Sequence, residues 1–214
     1  CKVLKACNHQ FLFIISRSKN KFDMATINKN LSVYDKSALP NAKDFRFGVV
    51  VSEWNENITE GLYKGAEEAF LDNEVPAENI IRWNVPGSFE LIYGAKKMLQ
   101  TQKVDAVIAI GCVIQGQTKH FDFVCEGVTQ GIKDLNVQTD IPVIFCVLTD
   151  NTMQQSIDRS GGIHGNKGTE AAIAAIKMAY IRQQASFTHE YAPQSLLTSG
   201  AMQLDEGTPL ELKE

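Results

Sequence analysis

Between residues 45 and 184, short apolar runs alternate with longer stretches in which apolar positions recur at helical spacing. The runs at 47–51, 80–85, 104–110 and 143–148 are rich in β-branched residues and read as strands. VDAVIAI at 104–110 is apolar almost throughout, as a central parallel strand covered on both faces requires. The stretches 58–73, 89–100, 121–135, 152–159 and 169–183 read as helices, the first with Asn57 and Glu60 spaced as a variant capping box. This alternation predicts βαβ units, hence a three-layer α/β fold in which helices flank a four-stranded parallel sheet.

In such a sheet, ligands gather beyond the carboxyl ends of the strands, so the strand-to-helix loops matter most. They are SEWNEN (52–57), PGS (86–88), CVIQGQTKH (112–120) and TDNT (149–152). The run GCVIQGQTKHFD at 111–122 is the most informative. Gly116, Gln117 and Thr118 offer a small-residue turn, backbone N–H groups and a candidate N-cap hydroxyl, the ingredients of a phosphate site at a helix N-terminus. His120 falls in the first helical turn, where the positive end of the helix favours a neutral, proton-accepting imidazole; an exposed helix-start histidine is the plainer alternative.

Other residues divide in the same way. Lys167 in GNKG begins the last helix, where a cation opposes the dipole by about 0.3–1 kcal/mol, so it either faces a ligand or is solvated beside an Asn166 cap. Arg159 suits a helix C-terminus on dipole grounds alone. Trp54 in a polar loop must pack on something, either a flat heterocycle or as a hydrophobic plug. Phe145 reads as strand core, and Phe89 and Glu90 as an ordinary helix start. His164 has no metal-ligand spacing around it, and no metal is expected.

Composition narrows the class. A net charge of −4 and a pI near 5.6 argue against nucleic acid or an anionic membrane as partner and favour small polar substrates. The five cysteines follow no metal spacing, which points to reduced packing residues in the cytoplasm. One domain is expected at 45–184, with a lead-in at 1–44 and a flexible tail at 185–214 marked by Pro193, Gly200, Gly207 and Pro209. Because ATINKNLSVYDK after Met24 reads as an amino terminus, 1–23 is expected to be leader or non-native sequence.

Five segments together resemble the 6,7-dimethyl-8-ribityllumazine synthase family of riboflavin biosynthesis. They are FGVVVSEWN (47–55), NVPGSFEL (84–91), GCVIQGQTKHFDFVCEGVTQGI (111–132), PVIFCVLTDNT (142–152) and RSGGIHGNKGTEAA (159–172). The resemblance covers roughly 31–181 and implies a flavodoxin-like fold. It also implies condensation of 5-amino-6-(D-ribitylamino)uracil with 3,4-dihydroxy-2-butanone 4-phosphate, releasing phosphate and water, with no cofactor or metal.

By the same resemblance, Trp54 stacks on the uracil ring with Asn55 beside it. Ser88, Phe89 and Glu90 hold the ribityl side, and Val113 and Ile114 meet the uracil edge. Gly116, Gln117 and Thr118 bind the phosphate, and His120 shuttles protons. Phe145 packs on the heterocycle, Arg159 clamps the phosphate and Lys167 serves the uracil side. Gln115, Gln117 and Cys146 depart from residues common in the family. Family sites lie between subunits of a pentamer, and the short SGGIHG connection resembles relatives that form sixty-subunit cages; riboflavin synthase is a further partner to expect. Two alternatives are a silent lumazine-binding or cage-forming shell protein and, on the phosphate loop and aromatic loop residues, an FMN-binding flavodoxin-like protein.

Overall fold

The computed structural model describes Asn30 and residues 32–190, with side chains described to Ser186. The expectations for 1–23 and for the tail beyond Glu190 lie outside the described residues. Strands β1 (Phe47–Ser52), β2 (Ile80–Val85), β3 (Ala106–Ile114) and β4 (Val143–Asp150) form one parallel sheet in the order β2-β1-β3-β4. The fold class is the one expected. Central β1 and β3 bury both faces, which is why their sequences are continuously apolar, whereas edge strand β2 is only half-buried and carries Arg82 and Asn84.

The helices are α1 (Glu56–Asp72), α2 (Leu91–Thr101), α3 (His120–Gln138), α4 (Met153–Arg159) and α5 (Lys167–Glu190). Alternate residues of each strand feed two cores. Phe47, Val49, Val51, Ile108 and Ile110 pack with Leu62, Phe70, Ala172 and Ile176 of α1 and α5. Val50, Val107 and Ala109 pack with Leu91, Met98, Val128 and Ile132 of α2 and α3. Phe47 stacks on Phe70 at 4.2 Å between ring centroids, fixing α1 against β1. Helices α1 and α5 approach so closely that a Cβ on Gly168 would lie 1.8 Å from the Leu62 carbonyl oxygen. Asn166 Nδ2 donates to Gly61 O at 2.7 Å and Thr169 Oγ1 to Gly65 O at 3.1 Å, binding the same seam.

Several boundaries differ from the sequence reading. The Asn57/Glu60 capping box does not form: α1 starts at Glu56 behind Asn55, which is in the left-handed region (φ 61°), and the Glu60 carboxylate pairs with Arg82. Asparagine tolerates that conformation, and here its Nδ2 also donates to Cys112 O at 3.0 Å. Strand β3 runs to Ile114, so Val113 and Ile114 belong to the strand and not to the loop. Phe89 and Glu90 lie in the turn before α2. Helix α3 begins at His120 with Lys119 as its cap residue; Thr118 gives no side-chain cap, only a long 3.4 Å contact of Oγ1 with the His120 N–H. Helix α4 carries a full capping box, between Thr152 and Gln155. Helix α5 continues to Glu190, past the expected end at Gln183. The linker between α4 and α5 folds into a small antiparallel pair, β5 (Ser160–Gly162) with β6 (Gly165–Asn166), too short and glycine-rich to leave a periodic signal.

Among the described residues no helix is long and apolar enough to cross a membrane.

Candidate active site

The strand order reverses between β1 and β3, whose following helices α1 and α3 lie on opposite faces of the sheet, and a crevice opens beyond the carboxyl ends of these strands. There the structure forms a cleft of about 870 Å³ lined by residues of three loops, the end of β3 and the start of α3, with Met153 of α4. Trp54 and Asn55 follow β1, Ser88, Phe89 and Glu90 follow β2, and Val113, Ile114, Gly116, Thr118 and His120 end β3 or follow it. Backbone hydrogen bonds hold the first two loops together, Glu53 N–H to Val85 O at 2.8 Å and Trp54 N–H to Pro86 O at 3.2 Å. The β3 loop is tied to the next strand by the Gln115 N–H, which donates to Asp150 O at 2.9 Å.

Within this frame the side chains differ in how the fold treats them. Trp54 is 71% exposed, so it does not serve as a plug within its own chain. Phe89 is likewise more than half exposed, and its ring edge lies against Gly127 of α3. Such aromatic surface at a cleft mouth suits a planar ring better than water. Ser88 is the opposite case. Its side chain is buried, and Oγ is the one buried side-chain polar atom among the described residues without a hydrogen-bond partner. An orphaned hydroxyl of this kind costs about 1–3 kcal/mol, which a polar ligand group in the cleft would recover.

The β3–α3 loop shows why small residues stand there. A Cβ added to Gly116 would meet nothing within 4 Å, and its backbone is not in the left-handed region. The fold itself therefore makes no demand for glycine at this position, which lines the cleft. His120 sits at the first position of α3, exposed, with no ring hydrogen bond to any described residue. Its imidazole is free to meet a reacting group.

Four of the expected residues lie away from the cleft. Gln117 is exposed in the same loop but does not line it. The other three stand on elements outside it: Phe145 on edge strand β4, Arg159 at the end of α4 and Lys167 at the start of α5. Phe145 is a β4 residue and 41% exposed, not strand core, because an edge strand lacks the neighbour that would cover it. Arg159 Nη1 approaches Asp150 at the end of β4 at 3.9 Å, and the Lys167 carbonyl accepts from Cys146 Sγ at 3.6 Å. Burial pushes the Cys146 thiol up to about 12, so it acts here as a packing group. Lys167 Nζ contacts Glu170 at 2.6 Å, which offsets the cation at the start of α5.

Residues to which the sequence reading gave no individual role also line the cleft: Pro86 and Gly87 of the PGS loop, Cys112, Phe121, Phe123, Val124 and Met153. A signal for two of them was present, since FDFV at the start of α3 places Phe121 and Val124 on one helical face. Among the described residues no group of three or more His, Cys, Asp or Glu side chains is placed to hold a metal.

The 6,7-dimethyl-8-ribityllumazine synthase family model matches residues 44–183. A Flavobacterium johnsoniae protein named 6,7-dimethyl-8-ribityllumazine synthase is 80% identical over 191 residues, covering 89% of this chain and 100% of that protein. The protein of that name from Flavobacterium psychrophilum is 69% identical over the same coverage. That of Porphyromonas gingivalis is 57% identical over 73% of this chain and 97% of its own length. A cleft at the switch point, a glycine loop and a helix-start histidine thus occur in a chain matched over nearly its whole folded part, and it belongs to the 6,7-dimethyl-8-ribityllumazine synthase family.

Proposed function

We propose that the chain condenses 5-amino-6-(D-ribitylamino)uracil with 3,4-dihydroxy-2-butanone 4-phosphate to give 6,7-dimethyl-8-ribityllumazine, acting as a transferase in riboflavin biosynthesis. The observation that carries this reading is the make-up of the cleft. Exposed aromatic surface, a buried unpartnered hydroxyl, an open glycine loop and an unengaged imidazole converge on one crevice. Trp54 and Phe89 flank the pyrimidine ring, with Asn55, Val113 and Ile114 along its edge. Ser88 and Glu90 bind the ribityl hydroxyls, and Gly116, Gln117 and Thr118 receive the phosphate.

The chemistry follows from this placement. The pyrimidine 5-amino group adds to the ketone of the four-carbon substrate and water departs, giving an imine. Loss of the C3 proton with departure of phosphate from C4 leaves an enol, which tautomerises to a new C3 ketone beside a C4 methyl group, and attack of the ribitylamino nitrogen on that carbonyl closes the ring with loss of water. Each step moves a proton, and His120 is the group in the cleft that can take and return one. Holding two small reactants in register supplies the larger share, of the order of 7–11 kcal/mol toward the barrier.

Phe145, Arg159 and Lys167 do not line the cleft of their own chain, and we assign them to the cleft of an adjacent copy. This requires a homo-oligomer, for which a pentamer is the reading, with the short β5–β6 linker favouring a sixty-subunit cage. Action in the cytoplasm and association with riboflavin synthase complete the proposal. The test is to mix the purified protein with both substrates and follow the absorbance and fluorescence of the lumazine. Product at enzymatic rates is expected; tight lumazine binding without turnover would instead identify a shell or binding protein.

A further inference from the structure

Between the phosphate loop and Arg159 the structure contains a polar chain that the reaction described above does not use. Asp150 ends β4 with its side chain only 12% exposed. Its Oδ2 accepts from Ser156 Oγ at 2.8 Å, and Ser156, fully buried, accepts from Cys112 Sγ at 3.4 Å. Its Oδ1 faces Arg159 Nη1 at 3.9 Å, while the same Nη1 donates to Gln155 O at 3.1 Å. Through its main chain Asp150 also accepts the Gln115 N–H at the start of the phosphate loop.

A mostly buried carboxylate needs partners, and satisfying Ser156 alone would use only one of its oxygens. Here the second oxygen is directed at a guanidinium that is itself tethered on one side only. Nη1 donates to Gln155 O and stands at ion-pair distance from Asp150, while the Nε and Nη2 donors have no partner among the described residues. That is the arrangement of an arginine held along one edge and presented along the other, where a phosphate is gripped by two parallel N–H groups.

We propose that Asp150 is a positioning residue: it fixes the Arg159 guanidinium for phosphate and, by its carbonyl, locks the loop that forms the opposite cradle. This rests on the reading in which Arg159 binds the phosphate of the four-carbon substrate. Because Asp150 joins the loop of one cleft to the arginine assigned to the next, it couples the phosphate halves of two neighbouring sites in a ring of copies. Asp150 acts through orientation, since its charge alone would weaken anion binding.

The test is steady-state kinetics of the assembled enzyme with Asp150→Asn, which keeps an acceptor for Ser156, alone and combined with Arg159→Ala. Asp150→Asn is expected to raise KM for the four-carbon phosphate about three- to tenfold and leave KM for the pyrimidine within about twofold. In the Arg159→Ala background the same change should shrink to within about twofold. An unchanged or lowered phosphate KM, or an equal effect in both backgrounds, overturns the proposal. Ser156→Ala, which frees Oδ2 and keeps the charge, should act in the same direction, and it decides the matter if Asp150→Asn fails to assemble. If Arg159→Ala itself leaves the phosphate KM unchanged, the assignment of Arg159 has failed, an outcome distinct from failure of Asp150 alone.

Discussion

Ser88 and Gly111 face each other so closely that a Cβ on Gly111 would lie 2.7 Å from Ser88 Oγ. The glycine near the end of β3 thus makes the space in which a hydroxyl is buried at the cleft without a partner. Ser88→Ala should leave thermal stability unchanged or slightly raised, because an unsatisfied polar group is removed, while KM for the pyrimidine rises about tenfold or less. Differential scanning fluorimetry and initial rates measure the two together; an unchanged KM would leave the hydroxyl without its assigned ligand.

His120 begins α3 with no ring hydrogen bond within the described part of the chain, so its removal should cost the fold little. His120→Ala is expected to lower kcat about 10²-fold or less, with sedimentation of the assembly unchanged. Undiminished turnover would remove the proton-shuttle role. A dispersed, unassembled product would show that the residue supports structure instead.

The Arg82 guanidinium, hydrogen-bonded to Glu60, holds that carboxyl below its ordinary value of 4.5. A carboxyl lowered in the folded state contributes stability that is complete above 4.5 and is lost as pH falls through the lower folded value. Both partners are partly exposed, so solvent screening keeps the contribution small. Wild type should exceed Glu60→Gln in urea midpoint at about pH 7, with the gap closing as pH falls below 4.5. A gap that stays constant with acid would assign the difference to packing alone.

Burial pushes the thiols of Cys112 and Cys146 up, and both side chains are enclosed, whereas Cys125 on α3 is only partly covered. Iodoacetamide at about pH 8 should therefore modify Cys125 before the other two, which should react only on unfolding. Peptide mass spectrometry reads the order directly. Early modification of Cys146 would contradict its packing against α5.

The sheet was legible because β1 and β3 are buried on both faces, and that condition writes itself as an unbroken apolar run. The helix starts were less so. Asn57 and Glu60 have the spacing of a cap, yet the Asn55 backbone turns first and Arg82, distant in sequence, claims Glu60. Phe145 shows a second limit: aromatic residues in a strand look alike in sequence whether the strand is central or at an edge, and here the edge leaves the ring exposed. Of the site, the loops after β1, β2 and β3 converge as their sequence suggested, while Asp150 and Ser156 went unread because their partners come from other elements.

The placement of Phe145 on β4, Arg159 at the end of α4 and Lys167 at the start of α5, none of them lining the cleft, bears on how defects would combine. Under the shared-site reading, a chain lacking His120 still donates a sound arginine, and a chain lacking Arg159 still donates a sound histidine. Two impaired variants unfolded together and reassembled in equal amounts would then recover full sites, in roughly a quarter of positions if subunits mix at random around a head-to-tail ring. The unit that selection acts on would be the junction between two copies, and a defect in one chain would be diluted across its neighbours instead of confined to itself.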